Sequence, residues 1–175
     1  METIHLRSGR AVRVRALRRD DRERLTAAYS RLSPESQYRR FLTVKPRLSQ
    51  QDATYLVDVD GDDHMALVAT PLDQPERIVA VARFVRLREN PRAAEFSIVI
   101  GDEFQGQGLG SALMARLIDT ALERGVDRFV ATVLADNLAA HALINRSVPT
   151  APRWEHFGAV DEVEMRLGPV AALAA

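Results

Sequence analysis

Residues 95–118 read EFSIVIGDEFQGQGLGSALMARLI, and Gly106, Gly108 and Gly110 fall where an apolar run hands over to an amphipathic one. Glycine is entropically costly in ordered chain, so the cluster points to a tight turn or to a ligand resting on the backbone. Two phosphate loops are excluded by their own requirements. A P-loop needs a lysine after its last glycine, but Leu109 and Ser111 flank Gly110. A dinucleotide fingerprint, G-x-G-x-x-G, needs glycine at 111 or 113, which are Ser111 and Leu113. A third form fits: Gln105-Gly106-Gln107-Gly108-Leu109-Gly110 has the pattern Q/R-x-x-G-x-G/A. At a helix start, unpaired backbone N–H groups and the positive end of the helix dipole suit a pyrophosphate.

The elements that must hold this loop are legible from periodicity. AEFSIVI (94–100) is strand-like, and 108–124 carries a helical stripe of Leu109, Leu113, Leu117, Ile118 and Leu122, stopped by Gly125. RFVATVL (128–134) is the next strand and NLAAHALINR (137–146) the next helix. A strand–helix–strand unit predicts a parallel pair within a mixed sheet. Upstream, 3–6 and 11–15 form a hairpin or one bent strand around Ser8-Gly9-Arg10. Helices follow Asp20 or Asp21 as cap, Ser33-Pro34, and Ser49. HMALVAT and RIVAVARFVRL read as strands, and RWEHFGAVDEVEMRL as a last pair around Gly158. The expectation is one α/β (α+β) domain over 1–175, a mixed twisted sheet of about six or seven strands flanked by helices.

Composition narrows the function. The 175 residues carry 24 basic and 24 acidic side chains, so bulk charge offers no nucleic-acid partner. With no cysteine, disulfides, thiolate metal sites and a Cys nucleophile are excluded. The four histidines lack metal-ligand spacing. DVDGDDHMALVA imitates a calcium loop but has Asp63 where glycine is required and Ala69 where glutamate is required. No metal is expected. The acidic run 57–64 reads as solvated surface, with attraction of a cationic substrate as the alternative. The first residues lack a signal-peptide core, and no apolar run approaches the roughly 18 residues that span a bilayer. A cytoplasmic protein with no membrane partner is expected.

With the loop placed between strand and helix, the chain resembles the GNAT superfamily of acetyl-coenzyme A-dependent N-acyltransferases. RLSPESQYRRFLTVKPRLS (31–49), YLVDVDGDDHMALVA (55–69) and VATVLADN (130–137) are similar to the GNAT domains of bacterial protein lysine acetyltransferases. The resemblance implies acetyl-CoA as cosubstrate. Ile98, Val99 and Ile100 would hold the pantetheine arm through their backbone, and Gln105, Gly106, Gln107, Gly108, Leu109, Gly110 and Ser111 the pyrophosphate. Asn137 matches the asparagine that opens the next helix near the coenzyme. The acceptor would be a protein lysine or a small amine; a homodimer stays open, as does a coenzyme-binding sensor without turnover.

The same resemblance assigns the general base. An amine of pKa about 10.4 is almost wholly protonated at pH 7, so acyl transfer needs a proton acceptor. Glu95 is similar in position to the glutamate that serves this role. A carboxyl of pKa about 4.3 would need burial or a water relay to do so; Glu103 is the lesser candidate. Where many members carry a tyrosine acid, this chain has Ile144, and no tyrosine follows Tyr55. His141 is read as structural. RSVPTAPRWEHFGAV replaces the Gly-Phe that usually follows the last helix, on the acceptor side.

Overall fold

The computed structural model describes residues 2–168; residues 1 and 169–175 of the expected domain lie outside them. One eight-stranded sheet runs in the order β1-β2-β3-β4-β5-β6-β8-β7. Its strands are β1 (Glu2–His5), β2 (Ala11–Ala16), β3 (His64–Pro71), β4 (Ala80–Arg86), β5 (Ala93–Ile100), β6 (Arg128–Leu134), β7 (Arg153–Phe157) and β8 (Val160–Arg166). The count exceeds the expected six or seven because β1 and β2 are separate strands, paired from Glu2 with Val14 to His5 with Ala11. All neighbours are antiparallel except β5 and β6, the parallel pair expected from the strand–helix–strand unit.

Alternation along β3–β5 gives the sheet two apolar faces. On one, Ala82, Phe84, Ala94 and Phe96 meet α4 (Leu109–Glu123). That helix buries Leu109, Leu113, Met114, Leu117, Ile118 and Ala121 at one-turn spacing. Each large side chain so buried contributes about 1.5–3 kcal/mol. Phe129 of β6 stacks on Phe96 at 5.2 Å between ring centroids and ties the parallel pair into this core. On the other face, Ala66, Val68 and Val81 meet α1 (Arg22–Ser30), α2 (Pro34–Phe41) and α3 (Gln50–Val57) through Leu25, Phe41 and Leu56. These helices cover the sheet as far as β5. α5 (Leu138–Arg146) follows β6 on the α4 side, where Ile144 joins the core.

The helix starts match their sequence signals, with one exception. Ser33 accepts from Ser36 N–H ahead of Pro34, and Ser49 from Asp52 N–H. Asp21 stands at the cap position of α1, but its side chain caps nothing there. Its fully buried carboxylate instead accepts from Arg15 at 2.6 and 2.7 Å, from Arg18 N–H and from Arg24. An arginine fork outcompetes a neutral N–H for a carboxylate.

Candidate active site

β5 and β6 run together for three residues only: Ala93, Ala94 and Glu95 face Arg128, Phe129 and Val130. Beyond Glu95 the strands part. β5 continues against β4 to Ile100, while β6 continues against β8 to Leu134. Among the described residues, the edge of β5 facing β6 therefore has no strand partner over residues 96–100, which include Ile98, Val99 and Ile100. Unpaired backbone groups there can accept an extended amide chain as an added strand.

The free edge leads into the glycine loop. Asp102–Phe104 form a single 3-10 turn anchored by buried Phe104. Gly106 (φ +71°) and Gly108 (φ +93°) then turn the chain through the left-handed region. Gly108 is the cap residue of α4 and no side chain caps that helix. The first N–H groups, of Leu109, Gly110 and Ser111, thus have the orphan character that suits an anion. Their side chains do other work: Leu109 is fully buried in the core. The glutamine side chains shape the loop. Gln105 Nε2 donates to Ile100 O at 3.0 Å and Gln107 Nε2 to Glu103 O at 2.6 Å. The β1–β2 turn buttresses it, with Arg7 N–H donating to Gln107 O and Ser8 Oγ to Gln107 Oε1. Arg7 Nε lies 4.0 Å from where a Cβ on Gly108 would stand. This exposed cation over the loop had no signal in the sequence, because the turn joins it only by tertiary contact.

Glu95 stands where the strands part, between Val85 of β4 and Val130 of β6. It is exposed. It borders a groove of about 350 Å³ with Thr132, Arg153, Glu155, Glu162 and Glu164. Register places Glu164 beside Val130, and Glu162 beside both Thr132 and Glu155. Arg128 pairs with Glu164 and Arg153 with Glu155, so Glu95 and Glu162 carry the groove's uncompensated charge. Such a groove attracts an ammonium group. The aspartates of the acidic run 57–64 are exposed surface: Asp58 pairs with Arg19, Asp62 and Asp63 share Arg86, and Asp60 accepts from His64 N–H.

Asn137 caps α5, accepting from Ala140 N–H at 3.2 Å. Ile144 is buried at 2% exposure. His141 stacks on Trp154 with ring centroids 4.3 Å apart and contacts Asp161 and the Leu134 carbonyl. Glu103 pairs with Arg77 and Arg10. Among the described residues no group of three or more His, Asp or Glu side chains could hold a metal ion, and no helix is long and apolar enough to cross a membrane.

A parted parallel pair, a bare strand edge and an uncapped helix behind two left-handed glycines together offer a place for an extended chain that ends in an anion. A profile of the Acetyltransferase (GNAT) family matches residues 16–147. The chain belongs to this family, the acetyl-CoA-dependent acyltransferases. It is 37% identical over 143 residues to the acetyltransferase Pat of Mycolicibacterium smegmatis, covering 82% of this chain and 42% of that protein. The chain thus spans about two fifths of that relative's length. The GNAT domain of S. lividans PAT superposes with a TM-score of 0.85 at 30% identity, covering 94% of this chain and 96% of that one. Spermidine N-acetyltransferase from Vibrio cholerae, in complex with CoA and spermine, shares the fold at 18% identity and a TM-score of 0.67, over 89% and 95% of the two chains.

Proposed function

We propose that the protein transfers an acetyl group from acetyl-CoA to a primary amine, with a protein lysine as preferred acceptor and Glu95 as general base. The observation that carries this reading is the position of Glu95. It stands at the last paired residue before β5 and β6 part, between the bare strand edge and the acidic groove. Residues 98–100 would hold the pantetheine arm and the Gln105–Ser111 turn the pyrophosphate. Acetyl-CoA supplies the activated acyl group as a thioester. The groove draws in the ammonium form of the amine, and Glu95 takes its proton through water. The freed nitrogen bonds to the carbonyl carbon, the C–S bond breaks, and the second N–H proton, lost as the amide forms, is matched by the proton that the leaving thiolate takes up. The lysine preference rests on the resemblance of 31–49, 55–69 and 130–137 to the GNAT domains of bacterial protein lysine acetyltransferases.

Coenzyme release measured across protein and small-molecule amines tests the reading. Glu95→Gln should lower turnover by about 10²–10⁴-fold while acetyl-CoA affinity is retained. Equal turnover in the variant would remove Glu95 from the chemistry. A second reading, a coenzyme-binding sensor without turnover, is favoured by the buried Ile144 at the tyrosine position. Acetyl-CoA binding without thiol release on any acceptor would select it.

A further inference from the structure

Arg83 is 5% exposed and has no acidic partner among the described residues. It rises from the middle of β4 beside Ser97 of β5, on the face covered by α1–α3. Its Nη1 donates to Leu56 O at 3.2 Å and lies 3.1 Å from His64 Nε2, which serves as acceptor. Nε and Nη2 have no hydrogen-bond partner among the described residues. Burial pushes the Arg83 pKa down to about 9, and the positive charge of Arg40 adds to this. Arg40 is half-buried and likewise pairs with no carboxylate; it packs over the Phe41 ring and senses Glu95 only from beyond ion-pair distance. Buried cations are ordinarily paired, because an unpaired one forfeits its hydration without return.

Both arginines line a cavity of about 220 Å³ between the helices and strands β4 and β5. Its apolar wall includes Leu25, Leu56, Val81 and Val99. Of its other charges, Arg77 and Glu103 neutralise each other, Arg31 donates to Ile78 O, and Asp102 is engaged by Ser33 and Ser36. The inner end is therefore left cationic. A whole small-molecule ligand usually fills about 300–1,000 Å³, so this cavity suits a substituent. Ser97 and Val99 also line it, on the strand along which the proposed thioester would lie.

We propose that this cavity is a carboxylate-binding subsite, with Arg83 as its principal ligand and Arg40 as its second cation, filled by an acid group on one of the two substrates. The inference rests on the transferase reading above. The carboxylate can sit at the far end of the acyl chain, as in succinyl-CoA, or on the acceptor beside the reacting amine. The transfer is unchanged in either case: the amine nitrogen bonds to the carbonyl carbon, the C–S bond breaks, and the amine proton is matched by one taken up by the thiolate.

Two measurements test it. Free succinate, with neutral succinamide as control, is titrated into the protein while the arginine Nε–H resonances are followed. Succinate should shift the Arg83 signal, succinamide should not, and Arg83→Lys should weaken binding. This readout needs no turnover, so it stands even if the transferase reading fails. Coenzyme release is then compared for acetyl-CoA against succinyl-CoA, and for amines with and without a carboxylate. A charge-assisted pair predicts a preference of roughly tenfold to a hundredfold in kcat/KM for the acid form, which Arg83→Gln should abolish. Preference in the acyl series names the donor as source; preference in the amine series names the acceptor. If Arg83→Gln does not fold, Arg40→Gln, at the half-exposed position, should still reduce the preference. No succinate response together with no preference in either series would overturn the proposal.

Discussion

The three glycines of the loop provide a graded test of what the turn is for. Gly106 and Gly108 both have positive φ, and a Cβ on either would meet no atom closer than 4.0 Å. Alanine at each therefore brings the same backbone strain, about 1–2 kcal/mol, and no clash within the protein. Only Gly108 sits at the uncapped start of α4. Gly110 differs again: its φ lies outside the left-handed range, and a Cβ would stand 3.5 Å from Leu143 and 3.7 Å from Ile100, ordinary contacts. Alanine there gains helix propensity, up to about 1 kcal/mol, and the loop pattern itself admits alanine at that place. Urea unfolding should thus show Gly106→Ala and Gly108→Ala destabilised by similar amounts and Gly110→Ala slightly stabilised. Acetyl-CoA titration calorimetry should separate them differently. Gly108→Ala should weaken binding by about tenfold or more, a loss near 1.4 kcal/mol, with the other two within about threefold. If Gly106→Ala and Gly108→Ala lost affinity equally, the loop would be a structural corner whose strain alone matters. If Gly108→Ala kept full affinity, the pyrophosphate assignment would be wrong.

Two further predictions concern the frame. Burial works against the charge on Asp21, but hydrogen bonds from Arg15, Arg18 N–H and Arg24 outweigh it and hold the carboxyl at about 2, below the ordinary 3.8. A depressed carboxyl contributes stability above its unfolded pKa and loses it as pH falls through the folded one, so about 2 kcal/mol should vanish between about pH 4 and pH 2; Asp21→Asn should flatten that part of the unfolding profile. Asp102 accepts from Ser33 N–H, Ser33 Oγ and Ser36 Oγ at 2.6–2.9 Å, joining α2 to the glycine loop, so Asp102→Ala should cost about 1 kcal/mol and speed amide exchange in 33–37; unchanged exchange there would show that the link does not hold the helix.

What the sequence disclosed divides along the range of the interactions involved. The strand at 94–100, the stripe of α4 and the caps at Ser33 and Ser49 are local patterns, and all appear near their expected bounds. Asp21 misled because its partner Arg15 belongs to a different element, and a cap signal cannot report a competing fork. The acidic run 57–64 is the solvated surface it reads as, with Asp58, Asp62 and Asp63 exposed beside Arg19 and Arg86, whereas the groove beside Glu95 had no local signal because it gathers Glu155, Glu162 and Glu164 from two strands more than fifty residues downstream. Arg83 is the sharpest case. It lies within RIVAVARFVRL, which reads only as a strand, and nothing local says what will cover the face that Arg83 takes. Three helices on that face bury it without supplying an acid. A buried charge is tolerated when something compensates it, and among the described residues Arg83 has only the Leu56 carbonyl and His64. On the carboxylate-subsite proposal, substrate selection would therefore lie in the layering of helices over β4 and β5, and not in the glycine loop.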